Sequence, residues 1–334
     1  MNTPTTAAAS DVQPFALHSL GELFAAPKDN TKYLVDDLLP MGGTSVIVAK
    51  PKCGKSTLVR QLAVAVAKGL PFLGRTTEQG RVLYLCIEDK WEEVCDHFKL
   101  LGADNDTPIS PVFEWNVGPD GIERLTRTLS ASPDIKLAII DPIFRFIRVA
   151  DSNDYVKVTD ALAPLHNLAR AHEGLHIALV HHMKKKAGDD PFDGTLGSTA
   201  INSNVDTIVN LRRNREGLRT IQSCNRHGRD LPESFLVWNE VTHSVSLGPT
   251  AEEAERQAAI SIRQRIEKEM IEFVAAHHGA TQADVYANAS GKTKARRDAL
   301  AALVEGGILV QAGAGVKNDP HTYTVPAIPQ EKVN

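Results

Sequence analysis

A glycine–lysine–serine triplet near the start of the chain offers the most specific chemistry in this sequence of 334 residues. The run AKPKCGKST covers residues 49–57 and directly follows the apolar run TSVIV. A strand that ends in such a loop, followed by a helix, surrounds phosphates with backbone N–H groups and the positive end of the helix dipole. In this arrangement Lys55 reaches the β- and γ-phosphates, and the Ser56 hydroxyl coordinates Mg²⁺. The sequence therefore predicts a site for ATP and Mg²⁺.

The phosphate motif departs from its usual pattern at one position. The pattern GxxxxGK[ST] begins with glycine, where this chain has Ala49, and we expect a slightly tighter loop rather than a lost site. An ordinary glycine-rich turn is the alternative, and the preceding apolar strand makes it the weaker one. A second GKT, at 291–293, follows the helical run NAS rather than a strand, so we reject it as a nucleotide site. The candidate phosphate-binding residues are Ala49, Pro51, Lys52, Cys53, Gly54, Lys55, Ser56 and Thr57.

Acidic residues end two later apolar strands. The run KLAIIDPI ends its strand in Asp141, which is the pattern of a carboxylate that holds Mg²⁺ through water. The run VLYLCIED ends in Glu88 and Asp89. ATP hydrolysis also needs a positioned water, and we favour Glu88 for polarising it, with Asp89, or neither, as alternatives. His182 follows the run HIALV and is a candidate sensor of the γ-phosphate, although a lone histidine is more often a structural group.

Strands and helices that could position these residues alternate from about 32 to 247. Short β-branched runs separated by helical patterns indicate βαβ units and a mostly parallel sheet covered on both faces. Strands are predicted at 44–49, 82–87, 137–140, 176–180, 207–211, 218–224 and 234–238, and helices at 55–68, 90–101, 120–130 and 155–173. The later runs leave no room for crossover helices, so we expect antiparallel strands at the end of the sheet.

Composition restricts the class of protein. The net charge is −4, so no global positive field attracts nucleic acid, and any DNA contact must use local patches. The four cysteines are scattered, which argues against a disulfide framework and a cysteine-rich zinc site. No apolar run approaches the roughly 20 residues of a membrane helix, and the N-terminus does not resemble a signal peptide. We expect a cytoplasmic protein without a membrane partner.

Several motifs occur together in an order that resembles a known family. They are KPKCGKST, VLYLCIED, LAIIDPI, ALVHHMKK, GTLGSTAINSNVDTIVNL and SCNRHGRD. Their order over about residues 30–240 resembles the RecA-like hexameric ATPases, in particular the RepA-type replicative helicases of plasmids and phages (the AAA_25 group). The resemblance implies an α/β fold, a RecA-like P-loop NTPase core with a mostly parallel central sheet, in a homo-oligomeric, hexameric ring.

The same resemblance implies roles for individual residues. Lys55, Ser56 and Thr57 bind phosphate and Mg²⁺, Asp141 is the Walker B carboxylate, Glu88 is the catalytic base and His182 is the sensor. It further implies that Arg226 is the arginine finger offered to the ATP of the neighbouring subunit. Cys224 stands two residues before it, where relatives often have lysine, and Arg229 and Arg219 are alternative fingers.

Two basic segments are candidates for contact with nucleic acid. The loop MKKKAGDDPFDGTL carries Lys184, Lys185 and Lys186 and corresponds by resemblance to the loop that lines the ring channel and follows single-stranded DNA; a solvated surface loop is the alternative. Three helices followed by two strands predict a small C-terminal winged helix-turn-helix domain. Its third helix begins with Lys292, Lys294, Arg296 and Arg297. These residues could contact duplex DNA, although such domains also bind proteins.

The full expectation combines these parts. Residues 1–29 form a flexible arm, 30–247 the RecA-like ATPase domain, 248–256 a linker and 257–334 the winged-helix domain. The leading hypothesis is a ring-shaped motor that hydrolyses ATP to move along single-stranded DNA and unwind duplex. The alternatives are an ATP-controlled DNA-binding regulator and a recombinase-like filament protein.

Overall fold

The computed structural model describes residues 15–25, 31–114, 117–149, 154–182, 201, 203–214 and 216–326. Its strands are β1 (Tyr33–Val35), β2 (Leu39–Pro40), β3 (Thr44–Ala49), β4 (Arg81–Cys86), β5 (Ile109–Val112), β6 (Ile135–Asp141), β7 (His176–His182), β8 (Thr207–Arg213), β9 (Arg219–Asn225), β10 (Ser234–Trp238), β11 (Val245–Thr250), β12 (Ala280–Thr281), β13 (Val310–Ala312) and β14 (Thr322–Thr324). Its helices are α1 (Leu20–Ala25), α2 (Lys55–Lys68), α3 (Trp91–Leu100), α4 (Gly121–Ala131), α5 (Ile143–Phe146), α6 (Tyr155–Ala171), α7 (Ala251–Ala276), α8 (Gln282–Ala287) and α9 (Thr293–Glu305).

A large mixed sheet forms the centre of the described structure. In the described ranges it has nine strands in the order β11-β10-β9-β8-β3-β7-β6-β4-β5. The strands from β8 to β5 in this order run parallel, and β9, β10 and β11 continue the sheet antiparallel. This confirms the predicted mostly parallel sheet with an antiparallel end. The strand that precedes the phosphate motif, β3, lies between β7 and β8.

Helices cover both faces of this sheet. In β3, Ile47 and Ala49 belong to the apolar core under α2 and α3, whereas Val46 and Val48 belong to the core under α4 and α6. This alternation with a period of two residues is what a strand buried on both faces requires. Burial of each valine or isoleucine side chain contributes about 1.5–3 kcal/mol to stability. The sheet is therefore a rigid platform for the loops at its edges.

The sequence did not predict two strands of the sheet, β5 and β11. The edge strand β5 contains Pro111, and proline in a short run argues against a strand, although an edge strand tolerates it. The strand β11 contains Gly248 and Pro249 and overlaps the expected linker at 248–256. The structure has regular elements there, because β11 pairs with β10 up to Thr250 and α7 begins at the next residue. Thr250 and Glu253 form a reciprocal capping box that starts the helix without an intervening loop.

The C-terminal elements have a small apolar core of their own. Ile266, Met270 and Val274 of α7 are buried with side chains of α9 and with Tyr323 of β14. The described strands β12, β14 and β13 form a three-stranded sheet in that order. Between 255 and 265 the side chains of α7 are exposed, so the helix leaves the central sheet before it joins this core.

The N-terminal region is described only from Phe15 to Ala25 and from residue 31 onward. Its short helix α1 buries none of its side chains. The remainder of the predicted arm lies outside the described residues. None of the helices described is both long enough and apolar enough to cross a membrane.

Candidate active site

The loop between β3 and α2 has the backbone conformation of a phosphate cradle. Lys52 and Gly54 have positive φ angles of 64° and 102°, and such angles are strained for most side chains but not for glycine. Gly54 is the N-cap of α2 and, among the described residues, no side chain caps the first N–H groups of this helix. Those N–H groups and the helix dipole therefore point their positive ends toward the loop. This geometry fits a bound phosphate chain.

Lys55 lies across this loop. Its Nζ atom donates hydrogen bonds to the carbonyl oxygens of Ala49, at 2.9 Å, and Lys50, at 3.1 Å. The residue is 5% exposed. Burial lowers the pKa of Lys55, while the charge of Asp141 acts in the opposite direction. Ala49, at the position where the usual motif has glycine, is the last residue of β3.

The other predicted phosphate-site residues line the same turn. Cys53 is buried, Ser56 and Thr57 are partly buried in the first turn of α2, and Pro51 and Lys52 are exposed. The Ser56 hydroxyl is therefore placed at the helix N-terminus, as a Mg²⁺ ligand in this type of loop must be.

Asp141 ends β6, which is separated from β3 in the sheet by one strand, β7. The residue is 7% exposed, and the Tyr84 hydroxyl donates a hydrogen bond of 3.2 Å to its Oδ2 atom. Burial and then the charge of Asp89 raise the pKa of Asp141 to about 6, against the opposing effect of the Tyr84 hydrogen bond. A buried carboxylate of this kind is stabilised in its charged form by a nearby cation. The donor set therefore fits Mg²⁺, which binds through one or two carboxylates together with phosphates and water.

The two acidic residues after β4 have different partners. Asp89 forms an ion pair with Arg60 of α2, and the Arg60 guanidinium also contacts the Nδ1 atom of His97 at 3.0 Å. This buried arginine links the end of β4 to the helix that follows the phosphate loop. Glu88 accepts a hydrogen bond of 2.7 Å from Nε of Arg145 at a more exposed position. The arrangement favours Glu88 for contact with water and a structural role for Asp89.

His182 ends β7, the strand between those of the phosphate loop and Asp141. In the parallel ladder it pairs with Ala49. Partial burial and the charge of Lys55 lower the pKa of His182, whereas Glu88 and Asp89 oppose this effect. The carboxyl edge of the sheet thus brings together the predicted Lys55, Asp141, Glu88 and His182.

Arg226 lies at the amino edge of the sheet, where the parallel strands begin, opposite the carboxyl edge. It follows β9, whose last residue pairs with Thr207 at the start of β8. Ala49 pairs with Leu211 of β8, which lies four residues after Thr207. The distance along the strand between these two positions is about 13 Å. The Arg226 guanidinium donates to the Ser203 carbonyl at 3.1 Å and lies 3.7 Å from Oδ1 of Asp206, with its side chain 46% exposed. Arg226 is therefore separate from the phosphate loop of its own chain.

The alternative fingers lie at different edges. Arg229 is near Arg226, and its backbone N–H donates to Asp37 at 3.0 Å. Arg219 begins β9 at the other end, where its Nε atom is 4.0 Å from the position of a β-carbon built on Gly54. Arg219 thus lies beside the phosphate loop of its own chain, not at the edge that carries Arg226.

The predicted nucleic-acid contacts are only partly described. Lys184, Lys185 and Lys186 lie outside the described residues. Lys292 and Lys294 are exposed, and Arg297 is exposed beside Asp298. Arg296 instead donates to the carbonyl oxygens of Gly291 and Tyr286, both at 2.8 Å, so its guanidinium stabilises the turn before α9.

The sequence did not identify three residues of the site, namely Tyr84, Arg60 and Arg145. Tyr84 is one of several apolar residues in β4, so no sequence signal marks it. Arg60 interrupts the apolar side of α2, which is a detectable signal for a buried ion pair. Arg145 follows Asp141 by four residues, and nothing in its surroundings distinguishes it from a surface arginine.

Comparisons with known proteins give a family match and a structural neighbour. A solved structure of a KaiC-like protein from the hyperthermophilic archaeon Pyrococcus horikoshii OT3 is 17% identical, with a TM-score of 0.49, and the match covers 65% of this chain and 94% of that one. A search of curated proteins finds no match. The family model described as "AAA domain" (AAA_25) matches residues 11–188, more than half of the chain. The α/β core, with one strand between the phosphate-loop strand and that of Asp141, is consistent with a RecA-like fold. The protein therefore belongs to the AAA_25 family, and its core is that of a RecA-like P-loop ATPase.

Proposed function

We propose that the protein is a ring-forming motor that hydrolyses ATP to move along single-stranded DNA and unwind duplex, as a RepA-like replicative helicase does. One observation carries this proposal. The phosphate loop and Asp141 lie at the carboxyl edge of the sheet, whereas Arg226 projects from the opposite edge. An arginine that is separated from its own site can complete the site of a neighbouring copy, and head-to-tail contacts of this kind close into rings.

Each residue at the carboxyl edge has a task in this mechanism. The N–H groups at the start of α2 and the ammonium of Lys55 bind the phosphates. Ser56 and Asp141 would hold Mg²⁺, which would supply positive charge against the developing negative charge of the phosphoryl group. Glu88 orients the attacking water and accepts its proton, and Arg145 fixes the direction of the Glu88 carboxylate. Asp89 keeps the end of β4 attached to α2 through Arg60.

The connection to DNA runs through β7 in this proposal. His182, at the level of Ala49, senses the γ-phosphate and is directly followed by the segment that carries Lys184, Lys185 and Lys186. Those lysines contact the single-strand backbone in the ring channel.

The C-terminal elements form a winged helix in this proposal. The support is the order of elements, with α8 and α9 following α7 and the β13–β14 pair closing the chain. Lys292, Lys294 and Arg297 at the start of α9 are the duplex-contacting residues, and Arg296 positions that helix instead.

Strand displacement on a forked DNA substrate with ATP and Mg²⁺ tests the motor. Lys55→Ala should lower hydrolysis by roughly two to four orders of magnitude and abolish unwinding, because a charge-stabilising contact is lost. Lys68→Ala is the matched control, since Lys68 lies at the other end of α2 and pairs with Asp104 at the surface. Equal unwinding by wild type and Lys55→Ala would reject the proposal.

An ATP-controlled DNA-binding regulator is the second candidate. The separate core around Met270 and the exposed lysines at the start of α9 favour it. Site-specific duplex binding without strand separation would support the regulator, and preference for single strands of any sequence would support the motor. Filaments rather than closed rings in electron micrographs, with a non-hydrolysable nucleotide, would indicate a recombinase-like protein.

A further inference from the structure

Arg219 occupies a position beside the phosphate loop that no role described so far explains. It pairs with Arg213 of β8, which lies two residues after Leu211, the partner of Ala49 in β3. Its Nε atom lies 4.0 Å from the place of a β-carbon on Gly54, the N-cap of α2. The guanidinium is therefore next to the loop that binds phosphate, at the carboxyl edge of the sheet.

The Arg219 side chain is held in place without a hydrogen-bond partner for its Nε. This N–H is shielded from solvent and has no acceptor within the described part of the chain. The guanidinium carbon lies 5.7 Å from the centre of the Trp238 ring, so a cation–π contact orients the group. The residue as a whole is partly exposed, but a shielded N–H group without an acceptor is costly. A phosphate oxygen is an acceptor that guanidinium groups bind well.

We propose that Arg219 binds the phosphate chain of the nucleotide held by its own P-loop, and that Trp238 positions the guanidinium for this contact. The proposal rests on the ATP site proposed above and adds a second cation to it. It also separates two arginines by role: Arg219 acts within its own subunit, whereas Arg226 acts on the neighbouring one.

Binding of a fluorescent ADP, measured by anisotropy with Mg²⁺, tests the contact. Arg219→Ala should weaken binding by about 10- to 100-fold, which is the range for a lost hydrogen bond to a charged group. Arg219→Lys should lie between this variant and wild type because it keeps the charge. Arg213→Ala is the matched control, since Arg213 is exposed on the adjacent strand, and it should bind within about twofold of wild type. Thermal unfolding of each variant reports whether it is folded.

The possible failures are distinguishable. If Arg219→Ala is folded and binds as wild type does while Lys55→Ala has lost binding, the phosphate contact of Arg219 is wrong and the ATP site stands. If wild type itself binds no nucleotide, both proposals are wrong.

Mixing variants tests whether Arg219 acts within its own subunit. If both residues come from one subunit, a site with an intact Lys55 and an intact Arg219 cannot form in a mixture of Lys55→Ala and Arg219→Ala chains. The ATPase activity of the mixture should then not exceed the mean of the two variants measured separately. In the parallel mixture of Lys55→Ala and Arg226→Ala, about a quarter of the sites should be complete, because these two residues come from different subunits. Recovery in the Arg219 mixture would overturn the assignment to the same subunit.

Discussion

The two edges of the central sheet carry polar residues with contrasting surroundings. At the carboxyl edge, the acceptors of Lys55 among the described residues are carbonyl oxygens of its own loop, and burial raises the pKa of Asp141 to about 6. At the amino edge Asp206 accepts from the backbone N–H of Thr44 at 2.9 Å and lies beside Arg226. The first edge has charges that a ligand would stabilise, whereas the second has charges that the protein already stabilises. In the proposed function, the first edge binds the nucleotide and the second presents a fixed group to a neighbouring copy.

The largest expected effect distinguishes the two edges directly. Arg226→Ala should lower ATPase activity of the assembled protein by about 10³–10⁵-fold, which is the contribution of an arginine finger, while nucleotide binding stays unchanged. Arg229→Ala is the control at the same edge and should have little effect. Similar ATPase losses in the two variants would indicate that this edge has a general structural role and provides no finger.

The next effect separates two adjacent carboxylates at the carboxyl edge. Glu88→Gln should lower the hydrolysis rate by about 10²–10⁴-fold with little change in nucleotide affinity, because the variant cannot accept a proton. Asp89→Asn should instead lower the free energy of unfolding by about 2 kcal/mol, since the buried Arg60 loses its charged partner. Single-turnover hydrolysis and urea unfolding measure the two quantities, and an exchange of the two phenotypes would reverse the assignments.

A smaller effect concerns the stability of the amino edge. His176 is fully buried, contacts the Pro40 carbonyl at 2.8 Å and the Ser45 hydroxyl at 2.9 Å, and burial lowers its pKa from 6.5 to about 4. The unfolded chain therefore binds a proton that the folded chain does not, so this histidine destabilises the fold progressively as pH falls from about 6.5 to about 4. Between pH 7.5 and pH 5 the contribution is about 2 kcal/mol.

Urea unfolding at these two pH values measures that contribution. His176→Gln should be less stable than wild type at pH 7.5 but should lose less stability on acidification. An equal loss in both proteins would show that His176 does not titrate in this range.

The smallest effect concerns the C-terminal unit. The double variant Lys292→Ala, Lys294→Ala should weaken duplex binding severalfold and reduce the slope of log affinity against log salt by about 2, as expected for two lost phosphate contacts. Lys268→Ala is the control, because Lys268 is an exposed residue of α7. An unchanged salt slope in the double variant would favour a protein-binding role for this unit.

The sequence predicted the parts of the molecule that depend on local pattern. The bounds of β3 and α2 agree with the predicted 44–49 and 55–68, because an apolar run and a glycine-bounded helix define them locally. Lys55 and Asp141 were placed at one edge because parallel strands end on the same side of a sheet.

Other features depend on contacts between distant residues. The pairing of Tyr84 with Asp141 and of Arg60 with Asp89 depends on which strands are neighbours, and a single strand does not encode that order. The sequence makes Arg219 an alternative finger, because Cys224 stands where relatives often have lysine. The register of β9 on β8 decides which end of β9 reaches the phosphate loop, and that register depends on contacts between distant residues. Gly248 and Pro249 lie in β11, an edge strand whose pairing with β10 the local sequence pattern did not predict.

Titration calorimetry of ATP in the presence of Mg²⁺ tests the central claim most directly, namely that the N–H groups of the loop from Ala49 to Thr57 and the Lys55 ammonium bind a triphosphate. The account predicts saturable binding by wild type and by Lys68→Ala, and a loss of binding by Lys55→Ala that leaves its thermal unfolding unchanged. Equal ATP affinity in wild type and Lys55→Ala, or no binding by the wild type, would contradict it.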